Sequence, residues 1–247
     1  SGDYLGFSAT KYHDFEESTK RIFDEYGLPM LLRDGEFQYH PVNLAQFALS
    51  IYGKIQNGQK YLKGEELKSL FVYAIKKLIY LQGPDGAYNY EYPFEHYAEN
   101  DILEPPWNSA MAQGQILSVF ARALLSGYFS SYYNEIIIEC GNKTLKYLLE
   151  DNKYFGLTTT LSTLDYSLKD FIFFMEYPTQ NVVYTLNGFM FTLLGLYDWS
   201  NVEHESGIDV KDIFYEGLSS LEIILPYFDI EYFTCYDLSY LVIEDRV

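Results

Sequence analysis

An uncharged and largely apolar run from Tyr177 to Tyr197 constrains the fold of this chain more than any other stretch. Its length matches that of a transmembrane helix, which needs about 20 predominantly apolar residues. Its content argues against a membrane span, because polar side chains are spread along it and each unpaired one in hydrocarbon costs several kcal/mol. These polar residues are Thr179, Gln180, Asn181, Thr185, Asn187 and Thr192, and Pro178 interrupts the start of the run. We therefore predict a helix buried on most sides, with a polar corner at its start that points Glu176 and Tyr177 into a cavity.

The amino-acid composition argues against several classes of binding partner. The 247 residues carry a formal net charge of −18, which argues against nucleic acid or an anionic membrane and, less strongly, against a highly sulfated polymer. The 26 tyrosines have flat apolar rings with a polar edge, which suits contact with sugars, although most of them must simply pack at half-buried positions. Cys140 and Cys235 form no disulfide framework, and the four histidines are scattered, so we expect neither a metal site nor a bound cofactor.

Helical patterns fill most of the chain. The clearest helix is Leu67 to Leu81, where apolar residues recur at the i, i+3, i+4, i+7 spacing of one buried face. It ends before a strong turn signal, Gly83-Pro84-Asp85-Gly86. Further helices are predicted from about Thr10 to Tyr26, from Pro41 through Ile51, from Asn108 onward, from Tyr132 to Glu150, and from about Val210 to Leu225.

Two connecting segments break the helical pattern. The longer one, Ala87 to Pro106, is rich in tyrosine, and loops of this length in compact domains are usually functional or disordered. Its aromatic density indicates an ordered rim around a cleft. The segment from Tyr154 to Phe173 is compatible with short strands or with a loop.

The predicted fold class is therefore all-α, with long aromatic loops and a few short strands. A helical bundle and an α/α toroid both fit about eight helices with short connectors. Helices that are apolar on more than one side, and polar-aromatic loops that recur between hairpins, favour the toroid.

Four stretches together resemble the C-terminal catalytic domain of the D-glucuronyl C5-epimerases, which convert glucuronate to iduronate within heparan-type polysaccharides. They are His40–Ile51 (HPVNLAQFALSI), Pro105–Leu125 (with SAMAQGQ), Met175–Trp199 (with EYPT, LNGF and GLYD) and Tyr215–Leu238 (ending in YDL). The resemblance begins at about Gly27. It implies one domain over residues 1–247 with an incomplete (α/α)6-type toroid and no β-rich insertion, and it is compatible with a homodimer. It also implies truncation at the C-terminus, since a further catalytic tyrosine of the family would lie beyond Val247.

The resemblance also assigns roles at the reacting centre. Inverting C5 of a uronate requires a base on one face of C5, an acid on the other, and a group that offsets the substrate carboxylate. The family's catalytic pair matches Glu176 and Tyr177, which are assigned to proton removal, and Tyr236 matches a tyrosine that binds substrate near the reacting centre. The alternative from the residues alone is that Glu176 caps or pairs near the following helix while Tyr177 packs beside Pro178. Ser239 replaces a family arginine, so carboxylate recognition needs another residue.

Weaker candidates lie in or beside the matched blocks. Gln113, Gln115 and Asn187 are amides in helical segments, and each is either paired to backbone or aimed at substrate. Tyr39 and Trp107 would stack on sugar rings or pack in the core. Arg33 and Arg122 are candidates to replace the missing arginine, but nothing in the sequence places either in the cleft. Asp165, Asp170 and Asp198 are expected to be helix caps or surface residues.

Three functions are compatible with this sequence. The leading one is a uronyl C5-epimerase that acts on a glucuronate-containing polysaccharide without a dissociable cofactor. The second is a polysaccharide lyase or glycoside hydrolase on an α/α toroid. The third is a carbohydrate-binding relative without activity.

Overall fold

Helices make up most of the secondary structure, as the sequence predicts. The computed structural model describes residues 21–33, 35–62, 64–96, 101–150, 156–202 and 205–243. Within these ranges there are seven α-helices, and they do not form a closed barrel. They are α1 (Pro41–Gln56), α2 (Leu67–Leu81), α3 (Ala110–Ser126), α4 (Ser131–Leu149), α5 (Leu186–Ser200), α6 (Val210–Ile224) and α7 (Ser239–Val242). None of the helices in the described ranges is long and apolar enough to cross a membrane.

Short antiparallel strands connect the helices. A three-stranded sheet, with its strands side by side in chain order, precedes α1, and three two-stranded hairpins follow it. The strands are β1 (Arg21–Phe23), β2 (Pro29–Arg33), β3 (Glu36–Gln38), β4 (Tyr61–Leu62), β5 (Glu65–Glu66), β6 (Phe94–His96), β7 (Asp101–Leu103), β8 (Thr158–Thr160) and β9 (Ile172–Phe174). The pair β8–β9, with two 3-10 helices between its strands, shows that the segment from Tyr154 onward contains strands.

The prediction of a helix from about Thr10 to Tyr26 is wrong in the part of that range that the structure describes. Residues 10–20 lie outside the described residues, but Arg21–Phe23 is a strand rather than a helix. The reason is the turn that follows, in which the Asp24 carboxylate accepts the N–H groups of Tyr26 and Leu28 at 2.9 and 2.8 Å. An aspartate that bonds its local backbone in this way competes with helix formation. Gly27, with φ of 76°, then reverses the chain into β2.

Helix α1 begins as its sequence predicts. Pro41 occupies the first turn, where a missing N–H costs nothing. His40 is the N-cap, and its Nδ1 accepts the N–H of Asn43 at 3.3 Å. The cap therefore fixes both the start of α1 and the orientation of the His40 ring.

Helices α3 and α5 form the centre of the core and run parallel. Asn187, in the first turn of α5, contacts Met111 in the first turn of α3, while Asp198 near the end of α5 pairs with Arg122 of α3. The helices approach closely because both carry glycine at the crossing. A Cβ at Gly195 would lie 2.0 Å from the carbonyl oxygen of Gly114. The two N-termini therefore lie at the same end of the core.

The polar corner before α5 is irregular rather than helical, and Tyr184 within it has a positive φ of 53°. Helix α5 begins only at Leu186, whose N–H donates to the carbonyl of Tyr236 at 3.1 Å. The N–H of Leu238 donates back to the carbonyl of Val183 at 2.8 Å. These two bonds place the segment before α7 beside the start of α5.

Candidate active site

Glu176 is held where three elements meet. The preceding residue, Met175, donates its N–H to Leu157 at 2.8 Å, and its carbonyl accepts the N–H of Ala110, the first residue of α3, at 3.0 Å. On the other side Glu176 lies against Gly188 in the first turn of α5, where an added Cβ would come within 2.5 Å of Oε2. Glycine at this position is therefore what allows the carboxylate to approach the N-terminus of α5.

Two phenols share this carboxylate. The Tyr236 hydroxyl donates to Glu176 Oε1 at 3.3 Å, and the Tyr177 and Tyr236 hydroxyl oxygens are 3.5 Å apart. Glu176 Oε2 is buried without a hydrogen-bond partner among the described residues. We call Glu176, Tyr177 and Tyr236 the acid–phenol cluster. Residues 60 positions apart in sequence thus meet because the backbone bonds of Leu186 and Leu238 hold the tail in place.

The cluster borders a cavity of about 280 Å³. Glu176 and Tyr177 line it, whereas Tyr236 is not a lining residue and contacts Glu176 from outside the cavity wall. The other lining residues are Arg33, His40, Val42, Tyr90, Tyr92, Phe94, Trp107, Ser109 and Met111. The first turn of α3, the first turn of α1 and the end of β2 therefore contribute to one concave site.

Aromatic rings form one wall of the cavity. Trp107 stacks on Tyr90 with ring centroids 4.0 Å apart, and its Nε1 donates to the carbonyl of Tyr92 at 2.8 Å. Tyr177 stacks on Phe94 at 5.3 Å with nearly parallel rings. The described parts of the predicted loop, residues 87–96 and 101–106, thus contribute the aromatic rim that the composition predicts. Stacked, mutually supporting rings of this kind present flat apolar faces suited to sugar rings.

Burial sets the protonation states in the cluster. Burial raises the pKa of Glu176 from its usual 4.5 to about 7, against the opposing effects of the Tyr177 and Tyr236 hydroxyls and the Gly188 backbone. Burial, and then the negative charge of Glu176, raises the pKa of Tyr236 to about 12. The same two causes raise the pKa of Tyr177 even further. Near neutral pH the carboxyl therefore gains and loses its proton easily, while both phenols keep theirs.

Glu176 should make the stability of the fold depend on pH. Because folding raises its pKa, the folded protein retains a proton that the unfolded chain has released, so stability falls as pH rises from 4.5 to about 7. The variant Glu176→Gln has no such group. Between about pH 4 and pH 8 its stability relative to wild type should increase by roughly 3 kcal/mol.

Urea unfolding at several pH values measures this difference. Glu222→Gln removes an exposed carboxylate from α6 and serves as the matched control, with no change in the pH dependence expected. Parallel pH profiles for wild type and Glu176→Gln would contradict the buried, proton-accepting carboxyl.

The structure brings together some of the remaining candidates and separates others. Trp107 lines the cavity, and Asn187 lies beside Tyr236 with its Nδ2 3.9 Å from Met111 Sδ. Neither Asn187 nor the other three candidates line this cavity. Gln113 is fully buried and donates to the carbonyl of Gly86 at 3.4 Å, Gln115 is fully buried within α3, and Tyr39 donates its hydroxyl to Asp24 beneath Lys77.

The two candidate arginines have different environments. Arg122 is buried between α3 and α5, where it pairs with Asp198 at 2.6 Å. Asp198 is therefore a buried ion-pair partner, and its expected place as a cap or surface residue is wrong, whereas Asp165 does cap a 3-10 helix. Arg33 lines the cavity.

Tyr90 and Tyr92 also line the cavity and belong to the segment that the sequence predicts to form an aromatic rim. His40, a further lining residue, has no predicted role. For His40 a signal was available, because it stands in a matched block directly before Pro41.

Comparison with known proteins identifies the family. The family described as "D-glucuronyl C5-epimerase C-terminus" matches residues 82–246. The chain belongs to this family. A D-glucuronyl C5-epimerase of Caenorhabditis elegans is 28% identical over 224 residues, which cover 85% of this chain and 34% of that protein.

A second relative carries no assigned function. The uncharacterized protein MJ1128 of Methanocaldococcus jannaschii is 26% identical over 150 residues, covering 61% of this chain and 44% of that protein. The chain thus spans between a third and a half of the length of these relatives. The acid–phenol cluster and Trp107 lie inside the family match, whereas Arg33 and His40 lie before it.

Proposed function

We propose that this chain is a uronyl C5-epimerase domain, which inverts C5 of D-glucuronate to L-iduronate within a polysaccharide. The observation that carries the proposal is the acid–phenol cluster on the wall of a cavity that also presents an arginine and stacked aromatic rings. Family membership supports an epimerase in general. The cluster supplies the proton-transfer groups that such a reaction needs.

In the proposed reaction the Glu176–Tyr177 pair takes the proton from C5. The C–H electron pair then moves into the substrate carboxylate, so negative charge develops on its oxygens and C5 becomes planar. A proton returned from the opposite face gives the inverted centre, and no atom is gained or lost overall. A carboxyl with a pKa of about 7 is a stronger base than an ordinary glutamate and is still half deprotonated at neutral pH. Tyr236 donates a hydrogen bond to this carboxylate and would orient it.

The hydrolase alternative has less support. Glycoside hydrolases generally need two carboxyl groups across the scissile bond. Among the described residues that line the cavity, Glu176 is the one carboxylate. A lyase shares proton removal at C5 and then expels the group at C4, so its product distinguishes it. A non-catalytic binding protein has no need for a buried carboxyl that lowers its own stability.

We also propose the finer architecture that the resemblance implies. The helices would form part of an α/α toroid, residues 1–247 would make up a single domain, and the natural partner would be a glucuronate-containing polysaccharide. A homodimer is compatible with this proposal and is tested by the mass of the protein in solution.

Proton exchange at C5 tests the proposed activity. The full-length protein is incubated with unsulfated glucuronate-containing polysaccharide in heavy water, and the sugars are examined by NMR. We expect deuterium at C5 together with iduronate, at a rate that rises with pH through about 7 as Glu176 loses its proton. An unsaturated sugar product would replace the epimerase with a lyase. Absence of both exchange and cleavage on all such polymers would contradict catalysis at C5.

A further inference from the structure

Arg33 stands at the end of β2 and lines the same cavity as Glu176 and Tyr177. It reaches this place because the β2–β3 hairpin precedes α1 directly, and the first turn of α1 forms part of the cavity wall. Its guanidinium lies over the ring of Tyr92, 5.2 Å from the ring centroid. Tyr92 is itself fixed by Trp107, which donates to its carbonyl. The aromatic wall therefore holds the guanidinium in position.

The charge around Arg33 favours an anionic ligand. Arg33 forms no ion pair with any described residue, in contrast to Arg122, whose charge is offset by Asp198. It is the one arginine or lysine among the described lining residues, in a chain with a net charge of −18. In such a chain an anionic substrate is repelled overall, so a local cation in the cavity is needed to retain it.

We propose that Arg33 binds the carboxylate of the uronate unit and thereby determines the substrate specificity of the site. The inference rests on the proposed function for the reaction, but it concerns recognition. A guanidinium presents paired N–H donors that match both oxygens of a carboxylate. Once C5 is deprotonated, the additional negative charge on those oxygens strengthens the same contact. Ser239 has no positive charge to offer a carboxylate. In this chain Arg33 would therefore bind the carboxylate in place of the family arginine that Ser239 replaces.

A structural role is the competing explanation. An arginine that merely packs on Tyr92 would contribute a cation–π contact to stability and would make no distinction between ligands. The two roles differ in one observable quantity, which is the preference for a carboxylate over a neutral group of similar size at C5.

The experiment measures this preference directly. Binding of a glucuronate oligosaccharide is compared by calorimetry with binding of the same oligosaccharide after reduction of its carboxylates to primary alcohols. Wild-type protein should prefer the uronate by roughly 10- to 100-fold, as expected for a hydrogen-bonded charged group. Arg33→Met should bind both ligands equally, and Arg33→Lys should keep part of the preference because it retains the charge without the paired donors.

Lys76→Met is the matched control. Lys76 also lies over a tyrosine ring, that of Tyr133, with 5.3 Å between Nζ and the centroid, but it is exposed on α2 and away from the cavity. Its variant should keep the wild-type preference. A preference that survives in Arg33→Met, or that is absent in wild type, would overturn the inference. If wild type shows an Arg33-dependent preference but no C5 exchange, the proposed reaction fails and carboxylate recognition by Arg33 stands.

Discussion

Glu176→Gln is expected to reduce C5 exchange by about 10²- to 10⁴-fold, the usual contribution of a positioned acid or base. Glutamine keeps the shape of the side chain and can still accept the hydrogen bond of Tyr236, but it cannot take a proton. The variant should also lose the rise in activity through about pH 7 that the pKa of Glu176 predicts. Deuterium incorporation at C5 under saturating substrate, followed by NMR, measures the loss.

Tyr177→Phe tests whether the carboxyl and the phenol act together. The hydroxyl of Tyr177 lies 3.5 Å from that of Tyr236, and Tyr236 in turn donates to Glu176. Groups that transfer a proton as a unit show non-additive losses, so the double variant with Glu176→Gln should be little worse than the worse single variant. Tyr166→Phe, which changes an exposed tyrosine on a 3-10 helix, should retain wild-type exchange. Substantial C5 exchange in the Glu176→Gln variant would contradict the proposal that Glu176 is the base.

Local patterns predicted the helices and failed where distant segments decide the structure. The boundaries of α2 follow from the spacing of its apolar residues, and the start of α1 follows from Pro41. Strand β1 was missed because the Asp24 turn and pairing with β2 outweigh a helical pattern. Helix α5 begins at Leu186, well after the start of the uncharged run at Tyr177. Its start is set by hydrogen bonds to residues about 50 positions further along the chain.

The site was predicted only in part for the same reason. Spacing and residue type alone left Glu176 and Tyr177 open to a structural role, and the family resemblance pointed to them and to Tyr236. The Glu176 carboxyl group and the hydroxyl groups of Tyr177 and Tyr236 meet only because the segment before α7 is hydrogen-bonded to the start of α5. Arg33 was one of two candidate arginines that the sequence could not place, because its position in the cavity requires the β2–β3 hairpin to fold against α1.

The ion pair between Arg122 and Asp198 yields the second large prediction. It joins α3 to α5 at 2.6 Å, and the two side chains are only 3% and 10% exposed. Arg122→Met should lower the free energy of unfolding by about 3–5 kcal/mol, because the Asp198 carboxylate would stay buried without the guanidinium that offsets its charge. Urea unfolding measures the loss. Lys143→Met, which breaks the exposed pair with Glu139, is the control and should change stability little.

The double variant Arg122→Met with Asp198→Leu distinguishes a stabilising pair from a costly one. Replacing both charges with apolar groups removes the desolvation penalty along with the attraction, and such replacements are often neutral or stabilising. We therefore expect the double variant to recover most of the stability that Arg122→Met loses. The pair lies away from the cavity, whereas Met111 and Asn187 at the other end of the same helices lie beside the acid–phenol cluster. Because the glycine crossing of Gly114 and Gly195 already fixes how α3 and α5 pack, the double variant should keep C5 exchange near the wild-type rate. A double variant that is stable but inactive would instead show that this distant pair sets the position of the helix ends at the site.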